Sequence, residues 1–168
     1  MRSLILFRHA KSDWDANYAN DRGRPLSERG IKAARRMGKL LQAMEQVPEL
    51  VICSTARRAL ETLDIASRQG QWECDARESD ALYETSPDNV LILLRRLDVD
   101  PESLMLVGHE PTWSMLASRL IGRDCALRVP TACMLRIDLE IDAWQNVGFQ
   151  TGRLRWMLAP KLLGRLRV

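Results

Sequence analysis

Three short apolar runs limit what this chain can fold into: SLILF at 3–7, LVIC at 50–53 and LMLV at 104–107. Runs of that length, bounded by polar residues, read as buried strands. Their continuous apolar character, without alternation, is expected where a sheet is covered on both faces, as parallel sheets are. The stretches between them carry a helical period. In SERGIKAARRMGKLLQAMEQ (27–46), Ile31, Ala34, Met37, Leu41 and Met44 recur every three or four residues, and Ser27 stands where an N-cap belongs. A second helix is predicted from near Ala56, capped by Ser54 or Thr55, and a third from Pro87 to Leu97. A fourth begins at Pro111, because proline suits a first helical turn, where its missing N–H would have no partner anyway. Strands alternating with helices predict an α/β fold: a three-layer α/β/α sandwich with a mostly parallel central sheet.

The last third reads differently. ACMLRIDLEI (132–141) and TGRLRWMLAP (151–160) show partial alternation, punctuated by Gly148 and Gly152, and predict two further strands open to antiparallel pairing. The closing KLLGRLRV (161–168) fits either a packed strand or a frayed end. With 168 residues, 46% of them hydrophobic, and no internal repeat or linker-like stretch, residues 1–168 read as one domain. The net charge of +3 is spread among interspersed acids and bases, which gives no footprint for nucleic acid. No apolar run approaches the roughly 18 residues a membrane span needs, and Leu4 to Phe7 is too short for a signal sequence, so a cytoplasmic protein without a membrane partner is expected. Cys53, Cys74, Cys125 and Cys133 lack CxxC spacing and read as reduced, apolar thiols. With His9 and His109 the only histidines and no ligand-like spacing around them, neither a metal site nor a cofactor is expected. Trp14, Trp113 and Trp144 are expected to pack in the interior.

Ligands of parallel α/β sheets bind beyond the carboxyl ends of the strands. There the first run delivers Arg8 and His9, the second Ser54 and Thr55 followed by Arg57 and Arg58, and the third Gly108, His109 and Glu110. Singly, each has an ordinary structural explanation; a lone histidine after a strand is usually just hydrogen-bonded. Together they point to one edge of one sheet. Arg57 and Arg58 open a helix, where the dipole disfavours cations unless an anion binds at that helix end. Phosphoryl transfer asks for this set, with fixed positive donors around three equatorial oxygens and an in-line nucleophile. Arginine supplies a planar fork matched to phosphate, and neighbouring arginines keep an imidazole neutral and nucleophilic.

LILFRHAKS (4–12) resembles the signature of the histidine phosphatase superfamily, in which RH followed by Gly or Ala supplies a nucleophilic histidine and a phosphate-binding arginine. The resemblance runs in family order through DRGRPLSERGIKAARRMGKLL, VICSTARRALET and LMLVGHEP, over residues 1–120. It is similar above all to the SixA-like phosphohistidine phosphatases, a compact branch of the phosphoglycerate mutase-like fold without large insertions. The resemblance implies His9 as nucleophile with Arg8 beside it, and Arg58 as second pocket arginine, since the family pattern falls on Ser54, Arg58, Ala59 and Thr62. It implies His109, in protonated form, as a donor to the transferring group, and Arg24 at the pocket mouth. Other branches carry Glu and Asn after RHG; Ala10, Lys11 and Ser12 depart from that sugar-phosphate and mutase pattern. In ALYETSPDN (81–89), Glu84 falls where other branches hold a general acid. The implied activity is a metal-independent phosphatase working through phospho-His9. The implied partner is a phosphorylated protein, such as a histidine-phosphotransfer domain, or else a small phosphorylated metabolite; a non-catalytic phosphate-binding module is the remaining alternative.

Overall fold

A computed structural model describes residues 1–122 and 125–163. Six strands form one sheet: β1 (Arg2–Arg8), β2 (Leu50–Ser54), β3 (Asp75–Ser79), β4 (Ser103–Gly108), β5 (Met134–Leu139) and β6 (Gly152–Leu158), in the spatial order β3-β2-β4-β1-β5-β6. β3, β2, β4 and β1 run parallel, whereas β5 pairs antiparallel with β1 and β6 antiparallel with β5. The apolar runs thus lie in the three inner parallel strands, buried along nearly their whole length. β3 has the sequence DARES and is mostly exposed, an edge strand without an apolar signal.

Alternate residues of the central strands face two cores. Leu4, Leu6, Ile52 and Leu106 pack under helices α3 (Pro87–Arg95) and α4 (Thr112–Ile121), together with Trp113. Ile5, Phe7, Val51, Met105 and Val107 pack under α1 (Glu28–Ala43) and α2 (Arg57–Gly70). The layered sandwich follows from strands apolar on both sides and helices apolar on one. The Ser27 hydroxyl caps α1 by accepting the Gly30 N–H at 3.2 Å.

Several boundaries differ from expectation. α2 begins at Arg57 after Ala56 and has no side-chain cap. Neither predicted cap is available: Ser54 is turned to His109, and the Thr55 hydroxyl is bound by Asp80. α3 is capped by Ser86 and ends at Arg95, two residues short of Leu97. α4 starts at Thr112, with Pro111 as its N-cap residue. The end of the chain is neither strand nor frayed at its start: α5 (Pro160–Leu163) is a short helix, and residues 164–168 lie outside the described part. Trp113 and Trp144 are buried as expected, but Trp14 is 69% exposed. The Arg24 guanidinium sits over its ring, 3.4 Å from ring centre to Cζ, a cation–π contact that engages an aromatic face without a core. All four cysteines are free thiols. No described helix is long and apolar enough to cross a membrane.

Candidate active site

The site is a consequence of strand order and register. β1 and β4 are neighbours, with Arg8 paired to Gly108. One residue beyond that pair, each strand delivers a histidine, and the His9 N–H donates to the Gly108 carbonyl at 3.0 Å. The two imidazoles come to 5.1 Å between centroids, tilted by 50°. Gly108 is required at this junction because the Trp113 indole packs onto it: a Cβ there would sit 2.6 Å from the ring. Trp113 in turn donates its indole N–H to the Phe7 carbonyl at 3.0 Å, tying α4 to the end of β1.

His9 is 8% exposed, and its Nδ1 lies 2.7 Å from the Ala10 carbonyl oxygen. A carbonyl only accepts, so the imidazole proton is assigned to Nδ1 and the Nε2 lone pair is left free. Burial, joined by His109, Arg58 and Arg8, lowers the His9 pKa to about 3, against a hydrogen bond to Ala10 that works the other way. At pH 7 His9 is therefore a neutral imidazole with a free Nε2 lone pair.

His109 differs from expectation in its charge. Burial and the facing Arg58 lower its pKa to about 4, so at pH 7 it is neutral rather than protonated. Its Nε2 is 2.8 Å from the Ser54 hydroxyl, and its Nδ1 is buried without a protein partner. Ser54 Oγ also lies 3.4 Å from the Ala56 N–H, which it accepts. We assign Ser54 as the donor to Nε2, which places the His109 proton on Nδ1; the Ala56 N–H takes one lone pair of the hydroxyl and leaves its proton for this bond.

Arg58, in the first turn of α2, is 6% exposed and points inward, whereas Arg57 points outward and pairs with Glu61 at 2.7 Å. The Arg58 fork is positioned by Asp21: one nitrogen donates to its carbonyl at 2.7 Å and another to its carboxylate at 2.9 Å. Asp21 also receives Arg24 at 2.6 Å and the Tyr83 hydroxyl at 3.1 Å. Burial alone would raise the Asp21 pKa; the hydrogen bonds and charge of Arg24 and Arg58 outweigh it and hold the carboxyl below its usual value. Arg24, 5% exposed, donates to Ser12 at 2.8 Å. Arg8 donates to the Val129 carbonyl at 2.8 Å, and burial lowers its pKa. The Nε atoms of Arg8, Arg24 and Arg58 are all buried and unpartnered. Sequence reasoning missed Asp21, whose only signal was its place three residues before Arg24.

His9, Arg8, Arg58, His109 and Arg24 all line one cavity of about 820 Å³. Glu84 does not. With Tyr83, Arg77, Asn89 and Arg96 it lines a second cleft; the chain at Glu84 has φ 48°, and Tyr83 stands edge-on to His109 at 5.7 Å between ring centres. The carboxylate that does line the cavity, Glu110, is engaged by the Ser114 N–H at 3.0 Å and the Ser114 hydroxyl at 2.5 Å.

A neutral imidazole aimed into a buried ring of arginines defines a site for phosphoryl transfer. The sequence profile of the histidine phosphatase superfamily (branch 1) matches residues 4–90. The Mycobacterium tuberculosis protein Rv1276c, of uncharacterised function, is 35% identical over 162 residues, which span 87% of this chain and 99% of that one. The chain belongs to the histidine phosphatase superfamily. Its fold is similar to that of a candidate phosphohistidine phosphatase SixA from Agrobacterium tumefaciens, with TM-score 0.81 and 28% identity over 95% of this chain and 98% of that one. A candidate SixA from Nakamurella multipartitia has TM-score 0.81 and 25% identity, over 95% of this chain and 96% of that one.

Proposed function

We propose that this protein is a phosphohistidine phosphatase that removes the phosphoryl group from a protein histidine through a phospho-His9 intermediate. The observation that carries this reading is a neutral His9 imidazole set among buried arginines, in a cavity whose one described lining carboxylate, Glu110, is bound to Ser114. Glu84 lines a second cleft, and Asp21 is held below its usual pKa between two guanidiniums. An alkoxide leaves poorly without a general acid. The imidazole of phosphohistidine takes a proton from solvent on its distal nitrogen and leaves neutral, so this pocket suits it. The likeness to proteins described as SixA supports the same choice.

In the first step the Nε2 lone pair of His9 attacks phosphorus in line, the substrate P–N bond breaks, and the imidazole departs with its electron pair. Arg8 and Arg58 hold the equatorial oxygens, His109 donates from Nδ1, and Arg24 guards the mouth. In the second step water attacks phospho-His9, the P–N bond to Nε2 breaks, and orthophosphate leaves with His9 restored to neutral. Both steps rest on donors fixed before the reaction begins.

The test is phosphate release from a phosphohistidine-bearing domain and from a panel of phosphate esters, each with wild type and Glu84→Gln. The reading expects faster release from phosphohistidine, changed less than about twofold by Glu84→Gln. A single preferred ester, or a large loss in Glu84→Gln, would assign the site to metabolite chemistry instead.

A further inference from the structure

α1 is electrostatically unlike α2 beside it. α2 laces its exposed face with Arg57–Glu61 and Arg68–Asp64 pairs at i,i+4, 2.7 and 2.8 Å long. α1 carries Arg29, Lys32, Arg35, Arg36 and Lys39 against one acid, Glu28. Among the described residues none of these five cations joins an ion pair. Arg29, Lys32 and Arg36, at i, i+3 and i+7, share one face and line the cavity that contains His9, as do Lys11 and Lys161. Arg29 lies in the first turn, where the helix dipole disfavours a cation. A solvated helix face is normally of mixed sign; this one accumulates charge beside a phosphate pocket that already has its own arginines.

We infer that this basic rim docks an acidic protein face next to the phosphorylated histidine, so that the substrate is a phosphohistidine carrier with a row of carboxylates. The inference rests on the phosphatase reading and adds the partner's chemistry. The row on α1 spans about 10 Å at 1.5 Å per residue. Its members are exposed and distributed along a helix rather than converging on one point. A small polyanion is held by convergent donors; a row of this length matches carboxylates repeating along a partner helix. Trp14, exposed and with the Arg24 guanidinium over its ring, borders the same cavity and gives the rim an amphipathic anchor of the kind that protein interfaces enrich.

The probes are three helical peptides, each bearing one non-hydrolysable phosphohistidine analogue and, on the face beside it, three Glu, three Gln or three Lys. Affinities are measured with the full chain by tryptophan fluorescence at low and high salt. Exposed charge pairs contribute up to about fivefold each, so wild type should bind the Glu peptide about tenfold tighter than the Gln peptide, with the margin lost at high salt. Arg29→Gln with Lys32→Gln and Arg36→Gln should remove that margin, and the corresponding Glu triple variant should prefer the Lys peptide. Circular dichroism and melting verify the fold of both variants. Equal affinity of wild type for Glu and Gln peptides, or a margin that survives the substitutions, overturns the inference. So does inorganic triphosphate binding wild type more than tenfold tighter than orthophosphate and losing that gain in the variants, which would make the rim a small-polyanion subsite. Because the analogue is not turned over, peptide selectivity in a protein inactive on phosphohistidine would support the docking and count against the reaction alone.

Discussion

At the residue scale, proton placement decides what the two histidines can do. His9 keeps its proton on Nδ1 because Ala10 offers only an acceptor, and with Ser54 assigned as donor to its Nε2, His109 carries its own on Nδ1. Ser54→Ala should therefore lower kcat, by less than the roughly hundred- to thousandfold that losing a donor to the reacting group itself costs, with KM little changed. Steady-state kinetics tests the split, and an unchanged kcat would remove Ser54 from the mechanism. The pH dependence is equally specific. With His9 lowered to about 3, its neutral form persists far below the usual imidazole range, so kcat/KM should show no acid limb from the nucleophile near pH 6.5. With a substrate that does not titrate in that range, a limb at 6.5 that belongs to His9 would contradict the buried, arginine-ringed geometry. That Arg8, His9, His109 and the Arg57–Arg58 pair would gather was legible in sequence because their residue types answer a phosphate's needs at strand ends; the choice of Arg58 came from the family pattern on Ser54, Arg58, Ala59 and Thr62. The contacts of Asp21 and the place of Glu84 in a second cleft were not legible, since both depend on how loops distant in sequence meet.

At the element scale, the packing of α1 on α2 holds the pocket wall in place. Gly38 permits the approach: a Cβ there would lie 2.0 Å from the Ala66 carbonyl oxygen, which is backbone and cannot swing aside. Gly38→Ala should destabilise the fold by about 1–3 kcal/mol or more despite the better helix propensity of alanine, measured as a lower midpoint in urea. A neutral or stabilising effect would mean that the helices separate at no cost. The inner strands and the amphipathic helices were readable because burial on both faces or on one leaves its own periodicity. β3 was not, because an exposed edge strand such as DARES owes its place to β2 rather than to its own side chains. The cap of α2 was misread for a related reason: Ser54 serves the site, and the helix start goes without.

At the scale of the whole molecule, the site costs stability in acid. Unfolded histidine binds a proton below about pH 6.5, whereas folded His9 and His109 do so only near 3 and 4. Their contribution is complete above 6.5 and declines as pH falls through the window down to those values. Urea unfolding at about pH 7 and about pH 4.5 should show lower stability at the acid end, and His9→Asn should reduce the difference. An unchanged difference would place the acid sensitivity elsewhere. The same burial keeps the nucleophile neutral, so one arrangement sets both reactivity and acid sensitivity. The adjacency of β1 and β4, which brings the two histidines together, belongs to this scale too: each strand was visible in the sequence, but their order in the sheet was not.

The most direct test of the account is rapid-quench trapping with a 32P-phosphohistidine carrier, followed by assignment of the labelled residue. The account predicts an acid-labile, base-stable phosphoenzyme with the label on His9 Nε2, formed and lost at rates that account for phosphate release and absent in His9→Ala. Release at the full rate from His9→Ala, or a label on any other residue, would contradict it.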